Sequence, residues 1–88
     1  MLRKFDSLMI KKEFGKVLAQ ARKNENKVQE QVADYSTYSN RYIQQLEAGE
    51  KQPTITTLFK LAVALDTTPD KLIMPVWEKW VAQGLPDD

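Results

Sequence analysis

Apolar and polar positions recur along this chain at helical spacing. Phe14, Val17, Leu18 and Ala21 fall at i, i+3, i+4 and i+7, with Lys12, Glu13, Lys16, Gln20 and Lys23 on the other side, which predicts a first amphipathic helix from Ile10 to Asn24. Asn24 to Asn26 is a polar break in which Asn tolerates a left-handed backbone. A second helix is expected from Gln29 to Tyr35 and a third from Asn40 to Ala48, with Val32, Ala33, Tyr38, Ile43 and Leu46 as their apolar and small positions. Ser39 is placed to cap the third helix, Gly49 to end it in a left-handed conformation, and Pro53 to prevent its continuation. Thr54 can cap a fourth helix whose core stripe is Ile55, Leu58, Leu61, Ala62 and Leu65, closed by Asp66 and Thr67. Thr68, Pro69 and Asp70 form a strong start for a short fifth helix, Pro69 to Met74, docking Leu72 and Ile73. Pro75 is expected to interrupt it, leaving Val76, Trp77, Trp80 and Val81 as an apolar patch on a further helical segment ending near Gly84.

The fold class is therefore all-α, five helices with an additional C-terminal helical segment, and there is no strand pattern or internal repeat. At 88 residues the chain makes one domain over 1–88: a core at 10–74, an arm at 1–9 and an extension at 75–88 that is a candidate dimerisation element. One feature does not fit a single straight helix at the start. The stripe of Phe5, Leu8 and Met9 points about 180° away from that of Phe14, Val17, Leu18 and Ala21. Either the chain bends near Asp6 to Met9, or this stripe packs on something other than the main core. Within the core, the second helix, its break and the crossing third helix have the pattern of a helix-turn-helix.

Composition narrows the chemistry. With no histidine and no cysteine, the commonest general base, thiolate ligands and disulfides are all absent, and no metal or cofactor is expected. No Gly-rich phosphate loop and no paired carboxylates on one face occur either, so the sequence points away from an enzyme. The start, MLRKFDSLMIKK, lacks an uninterrupted apolar stretch with a cleavage site, and no run approaches membrane-spanning length, so a cytoplasmic protein without membrane contact is expected. A net charge of +1 hides an uneven distribution: Lys and Arg outnumber Asp and Glu by five in residues 1–27 and are outnumbered by three in residues 28–50. A surface that meets DNA would borrow its positive potential from the amino-terminal end.

Five ordered stretches, FGKVLAQARK, QEQVA, SNRYIQQLEAGEKQPT, TLFKLAVAL and TPDKL, resemble the repressor-like DNA-binding domain shared by phage Cro and repressor proteins and by many small bacterial regulators of the XRE type. These include restriction-modification controller proteins and some antitoxins. The resemblance covers about sixty residues, Phe14 to Ile73, and YIQQLEAG at Tyr42 to Gly49 matches the end of the family's recognition helix. It implies a pairing of Glu47 with Arg22, which as a bidentate bridge would tie the third helix to the first. The chain departs from the family at the turn, where Thr37 replaces the usual glycine, and before Gln29, where Lys27 and Val28 replace an apolar residue and a polar cap.

On double-stranded DNA the resemblance implies that Gln29 contacts phosphate through its amide and the helix N-terminus. Ser39, Asn40, Arg41, Gln44 and Gln45 would face the major groove, with Asn40, Arg41 and Gln44 reaching base edges. Lys51 is placed for the backbone, and the Tyr38 and Tyr42 hydroxyls either touch phosphate or pack in the turn. The family usually binds as a homodimer on palindromic half-sites. Val76, Trp77, Trp80 and Val81, with Phe5, Leu8 and Met9, are the candidate dimer surface, the alternative being a tail that folds back over its own amino-terminal segment. Two functions follow: a transcriptional regulator, repressor before activator, or an antitoxin-like protein whose helix-turn-helix autoregulates while a protein partner is bound elsewhere.

Overall fold

The structure, a computed structural model, describes residues 7–83. Its helices are α1 (Ser7–Asn24), α2 (Gln29–Ser36), α3 (Asn40–Glu47), α4 (Ile55–Ala64) and α5 (Pro69–Ala82), and there is no strand among the described residues. Helix α1 packs against α3 and α5, α2 against α3 and α4, and α4 against α5, so α3 is held from two sides. The core draws on every helix: Phe14 and Leu18, Val32 and Ala33, Ile43 and Leu46, Leu61 and Leu65, then Leu72, Val76 and Trp80.

Helices α1 to α4 all end the same way. A residue with positive φ follows each one, Asn26 (55°), Thr37 (63°), Gly49 (77°) and Asp66 (53°). The next backbone N–H then reaches back five residues: Lys27 to Arg22, Tyr38 to Ala33, Glu50 to Gln45 and Thr67 to Ala62, at 2.9 to 3.1 Å. These terminators satisfy the last carbonyls and turn the chain sharply enough for short loops to connect crossing helices. Asn and Asp reach this conformation at modest cost and Gly at none. Thr37 is the strained member, because its β-branched side chain is poorly tolerated there.

Other caps are local. The Ser39 hydroxyl accepts the Tyr42 N–H at 3.1 Å, and the Thr54 hydroxyl accepts that of Thr57 at 3.1 Å. Val28 has no acceptor to cap α2. Instead its own N–H donates to the Gln31 side chain at 2.9 Å, the reverse half of a capping box. Lys27, a departure from the family pattern, donates to the Ala64 carbonyl at 2.9 Å, placing a cation at the C-terminus of α4.

Three sequence expectations require correction. Pro75 does not interrupt α5, which runs unbroken through Ala82. Losing one helical bond costs about 3 kcal/mol, but burying Val76 and Trp80 on the far side of that proline returns roughly 1.5–3 kcal/mol each, so the helix continues. Pro75 is itself exposed, as is Lys71, whose carbonyl loses the helical bond that the Pro75 nitrogen cannot make. Ile55, expected in the core stripe of α4, is 74% exposed, and Ile73 is 39% exposed. In both helices the buried ridge lies beside an apolar ridge that faces out.

The amino-terminal mismatch resolves without a bend, since α1 is continuous from Ser7 and Leu8 is half exposed while Ile10 packs on the core. Phe5 and Gly84 lie outside the described residues. The tail patch splits: Val76 and Trp80 are buried in the same chain, whereas Trp77 and Val81 are half exposed. Those two buried residues are thus unavailable as a dimer surface, as the fold-back alternative requires.

Two stability predictions follow from the backbone. A Cβ at Gly15 would lie 2.5 Å from the Glu47 carbonyl oxygen and 2.7 Å from that of Leu46, so α1 and α3 touch there through bare backbone. Gly15→Ala gains roughly 1 kcal/mol in helix propensity but forces apart helices that are also clamped by side chains, an overpacking cost of roughly 1–3 kcal/mol. A net loss of stability in urea denaturation is expected, and a more stable variant would refute the close approach. Thr37→Gly has the opposite sign: relief of the left-handed strain should stabilise the fold by about 1 kcal/mol, raising the melting temperature by roughly 4–8 °C. An unchanged or lower melting temperature would show that Thr37 is unstrained.

Candidate nucleic-acid interface

Helix α3 is fixed along one side and open along the other. Ile43 and Leu46 are fully buried, and Tyr42 packs against the core. At the border Glu47 receives Arg22 Nε at 2.7 Å and Arg22 Nη2 at 3.0 Å, a bidentate bridge between α3 and α1. The bridge is largely removed from water, its side chains being 13% and 8% exposed. Arg22 also donates through Nη1 to the Lys27 carbonyl at 2.9 Å, so the same guanidinium holds the loop leading into α2. Bonding to Glu47 raises the Arg22 pKa above its already high ordinary value, against the opposing effect of burial, so the guanidinium remains charged.

Gln29 completes this cluster. Its amide Nε2 donates to Glu47 Oε1 at 3.0 Å, because an acceptor with net charge lies within reach inside the fold. The Gln29 amide therefore orients α2 against α3. Early in α2 the Gln31 and Val32 N–H groups bond the Val28 carbonyl, at 3.1 and 3.3 Å.

The opposite face of α3 carries Asn40, Arg41 and Gln44, all exposed and within about 100° of arc on the helix. Their planar amide and guanidinium groups can each form paired hydrogen bonds with base edges in a major groove. Gln45 is partly buried at the margin of this face, and Ser39 is exposed but has its hydroxyl engaged as the cap. Lys51 is exposed just beyond α3. The fold therefore gathers Asn40, Arg41 and Gln44 on one outward face, with Ser39 and Gln45 at its edges and Lys51 beyond its end.

Both tyrosines turn inward. Tyr38 Oη lies 2.8 Å and Tyr42 Oη 3.4 Å from the buried Thr57 hydroxyl, with the two rings 4.9 Å apart. Thr54 donates to the same oxygen at 3.1 Å. This hydroxyl cluster ties the turn and α3 to the start of α4, and sequence reading missed its centre. Thr57 sits at i+3 from a capping threonine, which could have been read as one side of the core stripe. Lys27 was also missed as a helix cap, since its partner lies 37 residues away.

The helix-turn-helix family HTH_3 matches residues 18–72, a segment that contains α2, the strained turn and α3. An uncharacterized HTH-type transcriptional regulator, y4dJ, of Sinorhizobium fredii is 35% identical over 69 residues, covering 78% of this chain and 90% of that protein. Among solved structures, the restriction-modification controller protein C.AhdI from Aeromonas hydrophila is 29% identical with a TM-score of 0.75, over 77% of this chain and 99% of that one. An HTH_3 family transcriptional regulator from Vibrio cholerae gives a TM-score of 0.76 at 25% identity, over 88% of this chain and 43% of that one. Sequence match and fold agree: the chain belongs to the XRE-type helix-turn-helix family of DNA-binding transcriptional regulators.

Proposed function

We propose that this chain is a sequence-specific repressor that binds double-stranded DNA in the cytoplasm as a two-fold dimer, reading the major groove with α3. The observation that carries the reading is the combination on one short helix of a core face locked by Arg22 and Glu47 and an outward face of Asn40, Arg41 and Gln44. A rigid back and paired-donor side chains in front are what direct readout requires, since a misplaced helix loses base-edge hydrogen bonds first. The first turn of α2 and Lys51 supply phosphate contacts that set register without reading sequence. Repression follows from occupancy: a domain of this size blocks a promoter by covering it.

The dimer surface we assign is the outer ridge of α5, with Ile73, Trp77 and Val81. It borders an open apolar groove of about 320 Å³ whose walls include Ile10, Phe14, Pro53 and Leu58. The groove lies beside the loop that leaves α3, so a second copy seated there would set the distance between the two reading helices. This refines the candidate tail surface, replacing its buried members with exposed Ile73 and the groove.

Selection of bound sequences from a random duplex pool should return a palindrome with half-sites one helical turn apart. On that site Gln44→Ala or Arg41→Ala should weaken binding by about 1–3 kcal/mol and relax specificity, whereas Lys51→Ala should weaken all sequences alike and lower the salt dependence by about one counterion. Equal losses on specific and random DNA for all three variants would overturn this division of roles. Trp77→Glu, at a half-exposed position, should leave the fold intact by circular dichroism and yield a chain that binds the palindrome far more weakly. Wild-type affinity in that variant would remove α5 as the dimer surface.

A further inference from the structure

Helix α4 carries a second apolar surface that neither the reading of DNA nor the α5 ridge uses. Its ten residues, ITTLFKLAVA, include one charged side chain, and such a helix is normally covered all round. Here one side is buried through Thr57, Leu61 and Ala62, while Ile55, Phe59 and Val63 are 74%, 59% and 79% exposed. Tyr35 of α2, also exposed, lines a shallow cleft with Phe59 and Val63. We propose that this face is a self-association surface, on which α4 of a second copy packs antiparallel about a two-fold axis through Phe59.

Three observations select a second copy as the occupant. The stripe is i, i+4, i+8, the ridge whose interdigitation with another like it gives the commonest helix crossing, near −50°. It is close to symmetric about its middle: antiparallel pairing sets Phe59 on Phe59 of the second copy and β-branched Ile55 on β-branched Val63, as an isologous contact demands. The four exposed side chains offer on the order of 600 Å² per copy, which meets the lower bound for a specific interface.

The electrostatics agree. The neighbouring lysines are drawn aside, Lys60 over the Tyr38 ring with Nζ 3.4 Å from the Thr37 hydroxyl, and Lys27 onto the Ala64 carbonyl with Nζ above the Tyr35 ring. The face is therefore an apolar row whose two flanking cations are already engaged inside the chain, which suits the apolar row of its own copy better than a cationic partner. Since the face is distinct from the α5 ridge, one copy can use both. A dimer joined through α5 then presents two α4 faces, and a bound dimer recruits another to an adjacent site.

The test uses the full chain in sedimentation velocity from micromolar to several hundred micromolar, with Phe59→Asp and Trp77→Glu, alone and together. All substitutions are at exposed positions, and circular dichroism confirms folding. The wild type should progress beyond dimer, since each α5-joined dimer presents two α4 faces; Phe59→Asp should stop at dimer, Trp77→Glu should form only a weak dimer, and the double variant should remain monomeric. Phe59→Asp should also bind a single palindrome with wild-type affinity yet lose cooperative filling of two adjacent ones. Association of Phe59→Asp as strong as wild type, or a wild type that never exceeds a dimer, overturns the α4 contact. Failure of the DNA-reading dimer registers separately, as a Trp77→Glu chain that binds the palindrome as tightly as wild type.

Discussion

The Glu47 carboxylate is the constraint on which the rest of the structure depends. It receives two bonds from Arg22 of α1 and one from Gln29 of α2, while Arg22 also holds the Lys27 carbonyl in the intervening loop. One anion near the end of an eight-residue helix thus ties together three helices and a connection. A helix that short has almost no stability by itself, so its position comes from its anchors. Ile43 and Leu46 anchor it by burial, which is non-directional and would tolerate rotation or sliding. The bidentate bridge is directional and fixes the phase of the helix, hence the direction of Asn40, Arg41 and Gln44. Removing one partner of so dry a pair leaves an uncompensated charge, at roughly 3–5 kcal/mol, a large share of the stability of a domain this small.

The backbone contributes a second constraint. Gly15 lets α1 approach to the carbonyls of Leu46 and Glu47, so α3 is gripped by side chains on one side of its end and by bare backbone beneath it. The repeated left-handed terminators then decide the crossing angles between successive helices, and the hydroxyl cluster at Thr57 joins the turn to α4. Strain at Thr37 lies within this framework and is tolerated because Ala33, Asp34 and Lys60 all hold the turn in place.

What was legible in the sequence were the features whose cause is local. The Ser39 and Thr54 caps, the left-handed Asn26 and Gly49, and the helix starts at Gln29, Asn40 and Pro69 depend on a few adjacent residues, and each appears where its chemistry puts it. The Arg22 to Glu47 bridge was legible only through family resemblance, since nothing in either neighbourhood names the other. The misreadings share a different cause. Ile55 and Ile73 were placed by periodicity, yet α4 and α5 each carry two apolar ridges, and periodicity cannot say which one the rest of the chain covers; Pro75 was read as a break because proline's local cost is visible in sequence and the burial of Val76 and Trp80 beyond it is not. The bond from Gln29 to Glu47 was illegible for a similar reason: only the folded structure brings the two side chains within 3.0 Å.

The two outward ridges follow from the size of the domain. A chain of 88 residues has a large surface for its volume, so it buries a smaller share of its apolar side chains than a longer chain would. Exposed apolar residues scattered singly need no explanation, but Ile55, Phe59 and Val63 form a continuous row, as do Ile73, Trp77 and Val81. Most of the area of Ile55, Phe59 and Val63, and about half that of Trp77, lies outside the core, so polar replacement there costs the monomer less than at Leu61 or Leu72. Their chemistry is therefore better explained by surfaces that the monomer leaves uncovered than by the demands of its own fold. A reading face of a few side chains gains specificity from a second copy, and under the proposed contacts the two apolar rows would give that copy a place to bind.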